Sequence, residues 1–391
     1  MKLNIKNTLL LFVFIFFHYD CLAQQDIESG SEQLNKYIPL LKNKNIGLVA
    51  HNASRLYSNY NKHLIDILIE NNINVRLIFA PEHGFYSNSP NGDLIEDTRD
   101  AITRIKIISL YGKNKKPLPE HLEGLDLILF DIQDVGVRFY TYISTLHNVM
   151  EACAEQNVPI ILLDRPNPNG HYVDGPVLDN KYKSFVGMHP IPIVHGMTMG
   201  EYAKMINGEG WLNNKIECNL VVIPNKNYNH KSKYILPVRP SPNLPNNQAI
   251  YLYPSLCLLE PTSVSIGRGT EKQFQIYGHP DFPKSDFKFI PKPNFGSKNP
   301  KWENMVCYGI SLEKIKVSNK IYLSYLIDSY KKIPNKETFF KDSFERIAGN
   351  ERLRKQLINK VSEIEIKKSW ESKLKKFKKI RKKYLIYEDF Y

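Results

Sequence analysis

The sequence predicts an α/β protein: a Rossmann-like, doubly wound, mainly parallel sheet, followed by a second, smaller α+β domain. Three observations carry this. Short apolar runs recur through the first two-thirds of the chain, separated by stretches with helical patterning. The runs are continuously apolar rather than alternating, which marks strands covered on both faces. Each run also ends in polar or glycine residues, as in sheets whose ligands bind beyond the carboxyl ends of the strands.

In chain order, Ile46-Gly47-Leu48-Val49-Ala50 reads as the first strand, with a helix over 63–70 after it. Strands follow at 75–79, 106–110 and 125–130, the last leading into a helix over 145–155. A fifth strand covers 159–163, and Pro192-Ile193-Val194 reads as a short sixth before a helix over 200–206. Residues 84–104 are rich in Asn, Asp and Gly, a loop long enough to serve as a lid. The Pro- and Asn-rich stretch 225–247 is a crossover, and a helix covers 249–259. Beyond Gly269 the pattern mixes strands near 274–277 and 308–315 with helices from Ile321. This places a catalytic domain over 24–269 and the smaller domain over 270–391.

The first 23 residues stand apart. Lys2 and Lys6 precede an apolar run over 9–17, and Cys21-Leu22-Ala23 supplies small residues for a cut after Ala23. That is the layout of a secretory signal peptide. Its apolar run is shorter than the ~20 residues a membrane span needs. The reading is therefore an exported protein, periplasmic or secreted, without stable membrane insertion.

The formal charge of +13 is concentrated towards the C-terminus, around residues 375–383. There Trp370, Leu374, Phe377 and Ile380/Arg381 recur at helical spacing between lysines, as in a surface helix packed by one face. Attraction to an anionic wall polymer or membrane surface is the second reading of that charge. No nucleic-acid motif accompanies it, so no nucleic-acid partner is expected. Cys153, Cys218, Cys257 and Cys307 are widely spaced with no C-x-x-C, which argues against a zinc site. Cys153 and Cys257 read as buried thiols, and the sequence identifies no disulfide pairing.

The expected strand ends assemble the candidate site. His51 and Asn52 follow the first strand, Glu82-His83-Gly84 the second and Tyr111-Gly112 the third. Asp131, Gln133, Asp134 and Arg138 follow the fourth, Asp164-Arg165 the fifth and His195-Gly196 the short sixth. Glu82, held on a stiff backbone between Pro81 and His83, is placed for general-acid work, with loop bracing as its alternative role. Glycosidases pair such an acid with a second carboxylate, for which Asp131, Asp134, Asp164 and Glu260 are the candidates. For Asp131 or Asp164 taken alone, the structural role of orienting Arg138 or Arg165 is the stronger reading. Arg138 suits either a substrate carboxylate or an ion pair with Asp134, and Tyr140 and Tyr142 suit stacking on a sugar ring. His51, His83 and His195 lack the i, i+4 spacing of a helical metal site, so they read as hydrogen-bonding groups and no metal is expected. In Glu260-Pro261-Thr262-Ser263-Val264-Ser265-Ile266-Gly267-Arg268-Gly269-Thr270, the glycines allow close backbone approach and Arg268 suits an anion. Neither a G-x-G-x-x-G, a Walker lysine nor a G-x-S-x-G elbow is present, so no nucleotide cofactor or serine-esterase chemistry is expected.

Several segments together resemble one family. They are Pro81-Glu82-His83-Gly84-Phe85, Ser109-Leu110-Tyr111-Gly112, Asp131-Ile132-Gln133-Asp134 running on to Tyr142, and Asp164-Arg165-Pro166-Asn167-Pro168. His195-Gly196-Met197-Thr198, Pro240-Ser241-Pro242-Asn243 and Gly267-Arg268-Gly269-Thr270 complete the set. In this order they resemble the bacterial exo-β-N-acetylmuramidases of the NamZ type, formerly a domain of unknown function, from about residue 45 to the end. The resemblance implies release of N-acetylmuramic acid from the non-reducing end of peptidoglycan fragments, in a cleft between a Rossmann-like domain and a smaller one. It carries over Glu82 as catalytic, with His83 and the Asp131–Tyr142 segment as cleft lining. It gives Arg138, Arg165 or Arg268 a lactyl carboxylate to read. Pro261 and Gln273 depart from the family pattern, beside Glu260 and in the loop after it. A metal-dependent hydrolase of wall fragments, or a wall-sugar-binding protein without catalysis, would use the same cleft.

Overall fold

The computed structural model describes residues 26–58, 60–90 and 92–391; the signal-peptide expectation lies outside them. The main strands and helices, in chain order, are α1 (Leu34–Leu41), β1 (Asn45–Ala50), α2 (Leu64–Glu70), β2 (Asn74–Ala80), β3 (Thr98–Arg99), β4 (Lys106–Ser109) and β5 (Leu127–Asp131). They continue with α3 (Tyr142–Glu155), β6 (Ile160–Leu163), α4 (Met199–Gly208), β7 (Leu220–Ile223) and α5 (Asn247–Leu256). The C-terminal part holds β8 (Ile276–His279), β9 (Lys288–Phe289), β10 (Cys307–Ser311), α6 (Ser324–Lys332), three short helices and α7 (Glu371–Arg381).

Seven strands form one sheet in the order β3-β4-β2-β1-β5-β6-β7, parallel except for the edge pair β3-β4. The chain starts in the middle, runs outward through β2 and β4, then returns to β5 and leaves through β6 and β7. That reversal makes the doubly wound topology, and adjacent strands alternate their apolar side chains between two cores. Leu48, Ile78, Leu129 and Ile161 pack with α1 and α2. Val49, Phe79, Phe130 and Leu162 pack with α3 and α4. Each such side chain, when fully buried, contributes about 1.5–3 kcal/mol, which is why both faces of the sheet read as apolar. A second, antiparallel sheet in the order β8-β10-β9 lies in the smaller C-terminal part.

Local signals fix the helix starts. Thr198 and Glu201 form a reciprocal capping box at α4, with Thr198 N–H donating to the Glu201 carboxylate at 2.9 Å and Glu201 N–H to Thr198 Oγ1 at 3.3 Å. Asn246 caps α5 by accepting from Ala249 N–H at 3.0 Å. Several elements differ from expectation, including the short edge strand β3 inside the stretch expected to be a loop, and β9. Pro192-Ile193-Val194 is not a strand, because Pro190 and Pro192 lack ladder donors; Val194 makes only isolated bridges to Val137 and Asp174. The edge strand β7 and helix α1, the latter interrupted in pattern by Pro39, were not apparent from periodicity. Cys153, Cys218, Cys257 and Cys307 are all buried free thiols. In α7, Leu374, Phe377 and Arg381 turn inward and most of the lysines outward.

The interior holds many neutral histidines, and this sets the acid stability. Burial, reinforced by nearby arginines or lysines, pushes His63 and His147 down to about 4 and His195 down to about 3. Burial shifts His51 and His189 the same way. Below about pH 6.5 the unfolded chain binds protons that these folded histidines refuse, so stability present above that pH drains away as pH falls towards 4. Burial raises Asp134 to about 7 and Asp164 to about 6, and both work in the opposite sense, gaining stability as pH falls. Asp131, also shifted up by burial, is a third such acid, and the five histidines outnumber the three. A melting temperature recorded from pH 7 to 4 should decline throughout, and a flat or rising profile would contradict the assignment.

Candidate active site

β2 delivers Glu82. After Ala80 the chain turns over Pro81, with Gly84 N–H donating to the Pro81 carbonyl at 3.0 Å. Completing this turn puts His83 at φ +73 and Gly84 at φ +79. A histidine in the left-handed region costs on the order of 1–3 kcal/mol, strain that accumulates where geometry serves a site. His83 is fixed further by its Nδ1–H, which donates to the Ser89 carbonyl at 2.9 Å and leaves Nε2 as an acceptor. Burial holds its imidazole below the usual pKa, against the opposing pull of Glu82.

The Glu82 carboxylate is nearly buried and meets the start of α3, where Thr141 Oγ1 donates to Oε2 at 2.7 Å. Tyr142 Oη reaches the Glu82 carbonyl at 3.4 Å and the Pro240 carbonyl at 3.2 Å. Burial, then the Glu82 charge beside it, raises the Tyr111 hydroxyl, so it remains a donor next to the carboxylate.

These groups open onto a cleft of about 200 Å³. The main domain supplies Glu82, His83, Tyr111, Tyr140, Thr141, Tyr142, Ser241 and Asn243; α5 and the segments after it supply Tyr253, Glu260, Arg268 and Phe274. Arg268 grips the Glu260 carboxylate through Nε at 3.1 Å to both oxygens and Nη2 at 2.9 Å to Oε2. Burial would raise the Glu260 pKa, but the Arg268 and Lys301 charges outweigh it and hold the group below its usual range, ionised. The flanking glycines are obligatory: a Cβ on Gly267 would sit 2.7 Å from the Lys272 carbonyl, and one on Gly269 2.6 Å from that of Lys292. Three polar atoms lining the cleft, Tyr140 Oη, Asn243 Oδ1 and Arg268 Nη1, are buried without a hydrogen-bond partner among the described residues, although Ser241 and Tyr142 lie beside Tyr140. Native proteins rarely tolerate such orphans, so the cleft is shaped for a polar ligand.

The structure brings Glu82, His83, Tyr111, Tyr140, Tyr142, Glu260 and Arg268 together in that cleft. The other candidates are engaged elsewhere. Asp131 and Arg165 are wholly buried in a two-bond pair, at 2.5 and 2.8 Å. Arg138 does not pair with Asp134; its guanidinium donates to the carbonyls of Pro176, Ile191 and Ile347. Asp164 accepts from Gly200 N–H and the Tyr387 hydroxyl, bracing α4 against the C-terminal tail. His51 Nε2 accepts from Gln133 N–H at 3.0 Å, and the Gln133 amide donates to the Asp134 and Pro166 carbonyls. Asn52 accepts from Arg55, and buried His195 accepts from Met197 N–H, its Nε2 4.0 Å from Asp134. Of the four candidate second carboxylates, Glu260 is the one that lines the cleft with Glu82. Among the described residues, no three His, Cys, Asp or Glu side chains gather as a metal set. Thr141 lies in the Asp131–Tyr142 segment expected to line the cleft, and Ser241 and Asn243 in a family-like motif that was given no role; Tyr253 was not singled out from sequence.

Comparison with known proteins places this geometry. The family model described as exo-β-N-acetylmuramidase NamZ, N-terminal, matches residues 46–248, and its C-terminal counterpart matches 251–387. The chain is 38% identical over 385 residues to the peptidoglycan β-N-acetylmuramidase NamZ of Bacillus subtilis (strain 168), covering 92% of this chain and 91% of that protein. Two solved structures of DUF1343 family proteins from Bacteroides fragilis NCTC 9343 are similar to it. One is 48% identical with a TM-score of 0.87, the other 28% identical with 0.78, and each comparison covers 93% of this chain and 99% of the other. The chain belongs to the exo-β-N-acetylmuramidase NamZ family.

Proposed function

We infer that the chain is a glycoside hydrolase, an exo-acting β-N-acetylmuramidase that releases N-acetylmuramic acid from the non-reducing end of peptidoglycan fragments. The observation that carries the mechanism is the pairing, in one cleft, of Glu82 on a strained turn with an Arg268-bound, ionised Glu260. Glu82 gives its proton to the glycosidic oxygen as the bond to the anomeric carbon breaks. Water adds its hydroxyl to that carbon, and its remaining proton returns to the carboxylate pair. Glu260, negative as the glycosidic bond breaks, stabilises the positive charge that develops on the sugar ring. Tyr140 Oη and Asn243 Oδ1 are free to bond the sugar, and Arg268 Nη1 to bond the lactyl carboxylate that distinguishes muramic acid.

The protein acts outside the cytoplasm, where peptidoglycan lies; the basic start, short apolar run and Cys21-Leu22-Ala23 support that reading. No helix among the described residues is long and apolar enough to cross a membrane. The test is turnover of a chromogenic β-N-acetylmuramide beside the matching N-acetylglucosaminide, with and without chelator. Release from the muramide alone, indifferent to chelator, is expected. Equal cleavage of both sugars would sink the lactyl-reading role of Arg268, and cleavage of neither would sink the hydrolase.

A further inference from the structure

The Glu260–Arg268 pair is a wall between two chambers. On one side is the cleft of Glu82; on the other is a second cavity of about 280 Å³ that shares both residues. Its remaining charged lining comes from Asp93, in the loop after β2, and from Lys298, Lys301 and Lys341 in the C-terminal part. Four cations therefore face two acids. Both acids are already committed: Asp93 to Lys298 at 2.5 Å, Glu260 to Arg268 at 2.9 Å. Among the described residues neither Lys301 nor Lys341 has a carboxylate within ion-pairing distance. Lys301 spends its ammonium on the Glu260 and Val264 carbonyls at 2.7 and 3.0 Å. Burial above all, against the opposing charge of Glu260 and with Lys341 and Arg268 adding to it, pushes Lys301 down to about 8.

We propose that this second chamber is a carboxylate-binding subsite, taking an acidic group of the substrate other than the lactyl carboxylate held in the cleft. The proposal rests on the muramidase reading, and one further part of a peptide-free glycan fragment carries the required chemistry: the lactyl carboxylate of a second muramyl residue further along the glycan. Arg268, touching both chambers, couples occupancy of one to the other. The exposed Lys298 and Lys341 are the residues that meet an incoming anion, with half-buried Lys301 behind them.

Two ligands test this: the peptide-free muramyl-glucosamine disaccharide and a peptide-free tetrasaccharide with a second muramyl residue. Their dissociation constants are measured by calorimetry on Glu82→Gln protein, with and without the double change Lys298→Ala/Lys341→Ala. The tetrasaccharide should bind roughly 3- to 10-fold more tightly than the disaccharide. The double change should abolish that gain and leave the disaccharide constant where it was. Equal binding of the two, or a gain that survives the double change, overturns the subsite. Wild-type turnover of the disaccharide reports separately on the hydrolase, so either reading can fail without the other.

Discussion

Replacing Glu82 by Gln lowers hydrolysis of the muramyl-glucosamine disaccharide by roughly 10²–10⁴-fold, the range lost with a positioned general acid. The substitution preserves shape. Thr141 Oγ1 can still donate to the side-chain oxygen, and the His83 turn is untouched, so the melting temperature should barely move. What is lost is the proton for the leaving oxygen. The loss should therefore be much smaller for an aryl muramide whose phenolate departs without protonation. Measuring both substrates on one variant separates the roles. A large loss on the disaccharide with a small one on the aryl substrate fits proton donation; equal losses would make Glu82 an electrostatic or positioning group, and full retained activity would remove it from the chemistry.

The second large effect falls on stability rather than catalysis. Arg165→Leu should cost about 3–5 kcal/mol, because Asp131 would be left as a buried charge without its partner. For a domain of this size that is a drop in melting temperature of roughly 10 °C. Arg165 also donates to Ser31 Oγ and the Arg55 carbonyl, so the N-terminal segment loosens with it. The double change Asp131→Leu/Arg165→Leu should recover part of the loss, since it removes both charges at once. Thermal melts of the three proteins decide this. If Arg165→Leu melts like wild type yet binds muramic acid poorly, Arg165 is a substrate contact and the buried-pair role is wrong.

Most of the sheet was legible in the sequence because burial on two faces leaves an unmistakable trace. Runs such as Leu48-Val49-Ala50 and Leu127-Ile128-Leu129-Phe130 can only be covered from both sides. The strand β7 carries the same kind of run in Leu220-Val221-Val222-Ile223, but as an edge strand it is partly exposed and its signal is shorter. Glu82 was legible for a different reason. A carboxylate set between Pro81 and His83-Gly84 at the end of an apolar strand has few local uses, and the resemblance to the NamZ family narrows them further.

The polar residues at the other strand ends show where that legibility stops. In sequence, Glu82, Asp131, Asp164, Arg138, Arg165 and His195 look alike: polar groups following apolar runs. The structure turns Glu82 into the cleft and takes the rest inward. Arg138 ends among carbonyls from residues 176, 191 and 347, and Asp164 against Tyr387, partners that no local pattern reveals. Glu260 and Arg268 reach the Glu82 cleft only because α5 and the following loop fold back across the sheet. By itself the sequence determined the central strands, their burial on both faces and the carboxylate turn after β2, because these depend on neighbours within a few residues. The tertiary structure alone decided which polar groups face substrate, because a buried polar group must be paired, and its partner lies wherever the packed chain brings one.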